Sequence, residues 1–432
     1  MKTFTIRDLF FSKLAKRIWF TVFILFIFRL GAMIPTPLIN GEALRSYMES
    51  SSGAGGLFDF INLIGGGSFK RFSVFAMSVS PYITASIIVQ LLSQDVIPVL
   101  SRWGKEGVNG KKKSHMLTRV LSLILAFVQA IAIALGFNAY TNGTLLTITN
   151  GDYTPVILVA IILTAGTAIL IWLGDLITKH GIGNGISIII LAGIISQLPN
   201  EILNIWNTYM VEGATATNYA TMILVYLILL LLVVIVVYMQ EATRKIPIQY
   251  ANVTAKESAV SDKNYLPLKI NSAGVIPVIF ASAIISLPVT VAGFFGTTDW
   301  GKWVTENLTL TANWGFALYV VMTIAFTFFY AYVQIDPEKM SENLGKQNAF
   351  IPNVRPGEET RKYISGVLGR LTCSGAIYLA VVVSIPLILS RVAGINVIIG
   401  GTSIIILAGV ALETVKQMRM QSSSRSYTNF LE

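Results

Sequence analysis

The stretch LFDFINLIGGGSFKRFSVFAMSVSPYITASIIVQLL, residues 57–92, is apolar but does not begin as a membrane span begins. An apolar piece of eight residues, 57–64, comes first. Gly65, Gly66 and Gly67 follow, then the basic pair Lys70 and Arg71, and only then a run, 72–92, long enough to cross a bilayer. A helix rises about 1.5 Å per residue, so a hydrocarbon core of roughly 30 Å takes about 20 apolar residues. Residues 57–64 reach less than halfway, so they either re-enter the membrane or lie on its external face as an interfacial helix. Re-entry carries a consequence. Lipid cannot satisfy free N–H and C=O groups, so irregular backbone at membrane depth requires surrounding protein or a water-filled cavity, and the chain is then expected to enclose one.

Of the 432 residues, 54% are hydrophobic and 12% charged, and the mean hydropathy is positive. Soluble domains carry about 25% charged residues, so the sequence reads as an all-α polytopic membrane protein. Cys373 is the single cysteine, which excludes a disulfide framework within the chain and a cysteine-rich metal site. Within its apolar run it is expected to be a small buried residue. His115 and His180 are too few for a site built from histidines. Lys2, Arg7, Lys13, Lys16 and Arg17 precede the first apolar run, as in a signal peptide. No small-residue cleavage site follows, and Arg29 interrupts the run, so a retained first span is expected.

Ten spans are expected, with cores near 18–35, 73–97, 117–137, 154–174, 183–199, 219–239, 271–292, 315–335, 366–389 and 395–413. With a cytoplasmic N-terminus, 25 of the 32 Lys and Arg residues fall on the cytoplasmic side and five on the other. By the positive-inside rule both termini are then cytoplasmic. The formal charge of +10 describes a basic cytoplasmic face suited to anionic lipids, ribosomal RNA or an acidic protein partner. Two cytoplasmic loops, about 240–269 and 336–362, exceed what a connector needs, and loops of that length commonly bind something. The second contains Asn353-Val354-Arg355-Pro356-Gly357-Glu358-Glu359, whose Pro and Gly shape a turn that presents Arg355 at its tip.

The chain also repeats itself weakly. Span two carries Pro81-Tyr82-Ile83-Thr84-Ala85-Ser86-Ile87-Ile88, which matches Pro277-Val278-Ile279-Phe280-Ala281-Ser282-Ala283-Ile284 of span seven as P-x-I-x-A-S-x-I. Ser187-Ile188-Ile189-Ile190-Leu191-Ala192-Gly193-Ile194 of span five matches Ser403-Ile404-Ile405-Ile406-Leu407-Ala408-Gly409-Val410 of span ten in all but the last position. Both pairs are five spans apart, an odd number, so a duplication must place its second half in the opposite direction. Inverted repeats build their site at the interface of the halves, on broken or Pro/Gly-interrupted helices, here spans two, five, seven and ten. The matched positions are apolar: Ile83 with Ile279, and Ile190 with Ile406. Val79, Ile276 and Ile186 lie three or four residues before Ile83, Ile279 and Ile190, on the same helix faces. Converging aliphatic side chains would form a narrow constriction that seals against ions by dewetting, although for any single isoleucine ordinary packing or lipid contact is the better explanation. Gln129, Asn271, Thr84 and Ser86 are polar residues within or at the start of spans, either a releasable interhelical cluster or general helix contacts.

Two motifs fail. Gly296-Thr297-Thr298-Asp299-Trp300-Gly301-Lys302 has the spacing of a P-loop, but Trp303 stands where Ser or Thr is needed and the segment lies on the external side. Gly181-Ile182-Gly183-Asn184-Gly185 lacks the strand–turn–helix context of a dinucleotide site. No paired intramembrane carboxylates or nucleophile–base constellation appears, so neither an enzyme nor a cofactor is expected.

Several segments resemble the SecY family, the central subunits of bacterial protein-conducting channels. They are Phe75-Ala76 followed by Pro81 to Ile88, then Gly181 to Ser187, Leu266-Pro267-Leu268-Lys269-Ile270-Asn271 with Ala273-Gly274-Val275-Ile276-Pro277, Arg355-Pro356-Gly357-Glu358, and Gly400-Gly401-Thr402-Ser403. The resemblance implies ten transmembrane helices in two inverted five-helix halves, 1–215 and 216–432, around an hourglass pore. It assigns the pore ring to Val79, Ile83, Ile186, Ile190, Ile276, Ile279 and Ile406, with valine at 79 where isoleucine is common. It makes residues 57–70 a plug, with Leu57, Phe58, Phe60, Ile61, Ile64, Gly65, Gly66 and Gly67 as its apolar and hinge positions. Spans two and seven would form a lateral gate, with Thr84, Ser86, Gln129 and Asn271 as its polar residues. Arg244, Lys245, Arg355 and Glu358 on the long loops would dock the SecA ATPase and the ribosome. SecE, and usually SecG, would be membrane partners, and signal sequences and unfolded preproteins the passengers, in a bacterial plasma membrane. A secondary transporter for a small solute also uses inverted repeats, but a midplane charge is expected of it, and spans two, five, seven and ten show none. Within the family, the ordinary loop signatures favour a housekeeping member over an accessory one.

Overall fold

The structure is a computed structural model and describes residues 13–40, 62, 65–93, 97–140, 153–210, 216–250, 265–294, 298–308, 312–393 and 401–428. Within these, each expected span holds a helix. The helices are α1 (Lys13–Gly31), α2 (Ser80–Leu92), α3 (Pro98–Lys105), α4 (Val108–Tyr140), α5 (Thr154–His180), α6 (Gly185–Tyr209), α7 (Ala216–Glu241), α8 (Ile276–Phe294), α9 (Asp299–Asn307), α10 (Asn313–Gln334), α11 (Pro337–Lys346), α12 (Glu358–Ala393) and α13 (Gly401–Thr428). Six of them, α4 to α7, α10 and α12, are long and apolar enough to cross a membrane. The remaining expected spans fall on α1, α2, α8 and α13.

The second span departs from expectation. Instead of one helix over 73–97, residues 65–79 fold as successive turns and α2 begins only at Ser80, leaving 13 helical residues. The cause is local. Ser78, within the expected helix, has φ +52°, and Phe72, just ahead of it, φ +44°, left-handed backbone that a right-handed helix does not accommodate; Gly66 and Gly67, at +65° and +86°, extend the irregular stretch towards the N-terminus. The peptide groups find other partners: the N–H of Thr36 donates to the carbonyl of Phe72 at 2.9 Å, and that of Val74 to Ile34 at 3.0 Å. Pro81, with its fixed φ and missing N–H, sits in the first turn of α2, where neither property costs anything.

The chain forms two compact units. In the first (1–204, 290–302 and 410–432), α4 packs along α2, α3 and α5, and α1 lies on α5. Its core joins Phe69, Phe72, Ala76 and Met77 of the turns to Ala130, Ile133 and Ala134 of α4 and Val156, Val159, Ala160 and Leu163 of α5. Gly166 of α5 lies against the Val74 carbonyl, where a Cβ would collide with it.

In the second unit (205–289 and 303–409), α12 packs against α7, α10 and α11. The two long loops build a single head on it. Strands β1 (Thr243–Pro247) and β3 (Tyr265–Lys269) pair as an antiparallel hairpin, and β2 (Gln249–Tyr250) pairs with β4 (Ala349–Phe350) from the second loop. Ile246, Ile248, Leu268, Leu344, Ala349, Ile351, Ile364 and Val367 form its core. Cys373, expected to be buried, is exposed on α12 instead: its apolar run turns that face away from the packed interior.

The repeated segments begin their helices alike. Pro81 and Pro277 are the second residues of α2 and α8, and Ser187 and Ser403 the third residues of α6 and α13.

Candidate functional site

The candidate ring residues lie in both units: Val79, Ile83, Ile186 and Ile190 in the first, and Ile276, Ile279 and Ile406 in the second. Val79 caps α2 and is fully buried, and its carbonyl accepts from the N–H of half-buried Ile83 one turn on. Ile186 and Ile190 occupy successive turns of α6. A tight reversal places that helix: Gly183 has φ +75°, and a side chain at Gly185 would strike the Gly174 carbonyl of α5. The Gly181–Gly185 motif is thus a packing device between α5 and α6. The reversal is fastened by Thr178, whose Oγ1 accepts from Gly185 N–H at 2.9 Å, and by Thr21 of α1, whose Oγ1 accepts from Ile182 N–H at 3.2 Å.

In the second unit, Ile276 packs on Ala273, Tyr330 and Ala331 at the start of α8, while Ile279 and Ile406 are buried. The helix carrying Ile406 is tied by polar contacts that sequence reading missed. Tyr319 of α10 lies 3.4 Å from Thr402, hydroxyl to hydroxyl, and the Gln240 Nε2 of α7 donates to the Ile405 carbonyl at 3.4 Å beside Gly409. Their signal in the sequence was weak: Tyr319 is one of three tyrosines in α10, and Gln240 is a single Gln near the end of an apolar helix.

Of the candidate gate residues, Thr84 donates back to the Ser80 carbonyl at 3.2 Å, and Ser86 and Gln129 are half-buried on the packed helices α2 and α4. Asn271 is buried ahead of α8; its Nδ2 donates to the Gly274 carbonyl at 3.2 Å. An ion pair between Arg119 of α4 and Asp175 of α5, not anticipated, joins those two helices.

The candidate plug residues Leu57, Phe58, Phe60, Ile61 and Ile64 lie outside the described residues. Gly65, Gly66 and Gly67 form a closed turn in which the Asn62 carbonyl accepts from Gly67 N–H at 2.8 Å and Asn62 Oδ1 from Lys70 N–H at 2.9 Å. Arg29 of α1 reaches this turn: its Nη1 donates to the Gly66 carbonyl and to Ser196 Oγ of α6, each at 2.9 Å.

The candidate docking residues are exposed on the head. Arg244 and Lys245 lie on β1, with Lys245 Nζ 4.7 Å from the centre of the Tyr265 ring, a cation–π distance. Arg355 stands on an exposed turn whose backbone is fixed on both sides: Thr360 Oγ1 donates to its carbonyl at 2.9 Å, and Ser341 Oγ to the Gly357 carbonyl at 2.8 Å. Glu358 is engaged by Arg361 through two hydrogen bonds, at 2.9 and 2.6 Å, and these hold its carboxyl below the usual range. No cluster of metal-ligating side chains occurs among the described residues.

A sequence model of the SecY family matches residues 73–415. The chain is 45% identical over 427 residues to the protein translocase subunit SecY of Bacillus subtilis (strain 168), covering 98% of this chain and 97% of that one. Its fold is similar to a solved structure described as that of a protein conducting channel, with a TM-score of 0.66 and 18% identity over 95% of this chain and 93% of the other. It is also similar to Sec61 in the canine ribosome-channel complex from the endoplasmic reticulum, with a TM-score of 0.63 and 17% identity over the same shares. These structures bear on the fold; the full-length sequence likeness carries the kinship, and by it the chain belongs to the SecY family.

Proposed function

We propose that the chain is the central subunit of a protein-conducting channel in a bacterial plasma membrane, passing unfolded secretory proteins across it and releasing the helices of membrane proteins sideways into it. The observation that carries this reading is the 45% identity to a translocase subunit over nearly the whole chain. The chemistry of the candidate ring supports it. An unfolded polypeptide presents every kind of side chain, so a charged or shaped site would stall it, whereas a ring of Val79, Ile83, Ile186, Ile190, Ile276, Ile279 and Ile406 would slide over all of them and dewet when idle.

In this reading the halves 1–215 and 216–432 close like a clamshell, and both termini are cytoplasmic. A signal sequence, being an apolar helix, binds the parted gate better than the closed one, and that differential affinity shifts the population towards the open channel. Spans partition through the gate into lipid, while segments with central charges, each costing about 2.5 to 3.5 kcal/mol, continue across. The basic head with Arg244, Lys245 and Arg355 docks the SecA ATPase or the ribosome; SecE and SecG are the membrane partners, and anionic lipids cover the basic face.

A photoreactive probe at Ile190, with a secretory precursor stalled in mid-transfer by a folded C-terminal tag, tests this. A crosslink that requires the signal sequence and the ATPase is expected. Absence of a crosslink at Ile190 and at Ile406, with the precursor still becoming protease-protected, would route the polypeptide elsewhere.

A further inference from the structure

Arg29 is an arginine in the apolar first span, and nothing in the channel reading uses it. A charged side chain within a span is costly and marks function by default. Here it has two partners from distant parts of the first unit: the Gly66 carbonyl, 37 residues on, and Ser196 Oγ, 167 residues on, both accepting from Nη1 at 2.9 Å. The backbone is shaped for this contact. Gly66 has φ +65°, and a Cβ there would lie 2.6 Å from Arg29 Nη1 and 2.8 Å from Ser196 Oγ, so any larger residue would displace the guanidinium. Gly67, at φ +86°, lies against the amide of Gln197, again on α6. Ser196 in turn donates to the Gly193 carbonyl at 2.7 Å, which fixes its lone pair towards the arginine. Phe28, the neighbour of Arg29, is fully buried and stacks on Phe75, with centroids 6.2 Å apart, so the segment that delivers the guanidinium is itself seated.

We propose that Arg29 is a positioning residue that, through Gly66 and Ser196, latches the glycine turn at 65–67 onto α6 and thereby sets how strong a signal sequence must be to open the channel. This rests on the channel reading above. The latch joins the base of the plug segment to the helix that carries Ile186 and Ile190. Hydrogen bonds to a charged donor are the strong ones, yet two of them remain within what one bound helix can offset. Opening must break both bonds, so a weak signal is rejected at this contact and a strong one is not.

The test uses the full chain assembled with its membrane partners. It reads export of a precursor with a shortened apolar signal core, and idle ion leak in planar bilayers. Arg29→Gln is expected to raise both about tenfold, the shift that about 1.4 kcal/mol of lost closed-state preference produces. Arg29→Lys should fall between, because an ammonium can donate to both acceptors from one nitrogen, as Nη1 does, but its shorter side chain does not carry that nitrogen fully to the place Nη1 holds. Ser196→Ala should raise both by less, and adding it to Arg29→Gln should change nothing further, since both act through one contact. Unchanged leak and stringency in normally abundant Arg29→Gln protein, or fully additive effects, would overturn the latch. If Arg29→Gln protein fails to accumulate, Ser196→Ala decides, with no change in either readout counting against the proposal. Failure of the unaltered chain to export a precursor with an intact signal would instead overturn the channel reading.

Discussion

Asn271 turns its Nδ2 onto the carbonyl of Gly274 at 3.2 Å and leaves its Oδ1, buried, without a hydrogen-bond partner among the described residues. An unsatisfied buried acceptor costs about 1–3 kcal/mol, so the described arrangement is destabilised relative to any in which water or another donor reaches the amide. In the channel reading proposed above, a parted gate would admit such a donor. On that reading Asn271→Leu removes the penalty from the described arrangement and is expected to lower export of weak-signal precursors roughly tenfold, with the Tm of the complex unchanged or higher. Equal or greater export of those precursors would show that the orphaned oxygen plays no part in opening.

Ile190 and Ile406 occupy matched positions of the repeat and are both buried. A fixed charge at an apolar constriction holds water there and removes the dewetting barrier. Ile190→Lys and Ile406→Lys are each expected to raise the idle ion conductance of the reconstituted complex several-fold, whereas Ile190→Leu leaves it unchanged. Wild-type conductance in both lysine variants would reduce these residues to packing.

The six spans whose helices are long and apolar enough to cross a membrane were legible because lipid imposes a length: about 20 apolar residues cannot be disguised. The second span was misjudged because Phe72, just ahead of it, and Ser78, within it, carry positive φ without being glycine, and composition holds no trace of that. The turn at Arg355 could be read from Pro356 and Gly357. The pairing of β2 with β4, which makes one head of two loops, joins Tyr250 to Ala349 across a distance that no local pattern reports. Arg29 stood out as a charge, but its acceptors are a backbone carbonyl and a serine on another helix, and neither leaves a periodic signature.

Gly166 lies where α5 presses on the turns of residues 65–79, with the Val74 carbonyl in the space a Cβ would occupy. The obstructing atom belongs to backbone, which cannot swing aside as a flexible side chain can. Gly166→Val should therefore cost at least the 1–3 kcal/mol usual for overpacking and reduce the yield of folded complex sharply. Gly366 on α12 has open space around it, so Gly366→Ala should be neutral or slightly stabilising by the helix propensity of alanine. Equal melting temperatures for the two variants in detergent would mean that the turns yield to α5 rather than being held by it.

Asp336 caps α11, its Oδ1 accepting from the N–H groups of Glu338 at 3.0 Å and Lys339 at 3.4 Å. Burial alone would raise its carboxyl. Hydrogen bonds from the Lys339 side chain and from the backbone of Lys339 and Glu338 outweigh that and hold the pKa below the ordinary aspartate value of 3.8. A pKa lowered by folding contributes stability that is present above the unfolded value and lost as pH falls through the folded one. The cap should therefore persist through neutral and mildly acidic pH and fail only below the ordinary aspartate range. Asp336→Ala removes it at every pH, at a cost of about 0.5–2 kcal/mol, towards the lower end for so exposed a site. The loss should spread beyond α11. Leu344 of that helix is part of the head's core, and Ser341 holds the Gly357 carbonyl beneath the Arg355 turn, so a frayed α11 leaves the turn without one of its two ties. Hydrogen exchange should show faster amide exchange over 337–346 and at the turn in Asp336→Ala, together with weaker binding of the motor ATPase or ribosome. Unaltered protection in the variant, or loss of protection in the unaltered chain near pH 6, would mean that the aspartate does not hold the Arg355 turn in place.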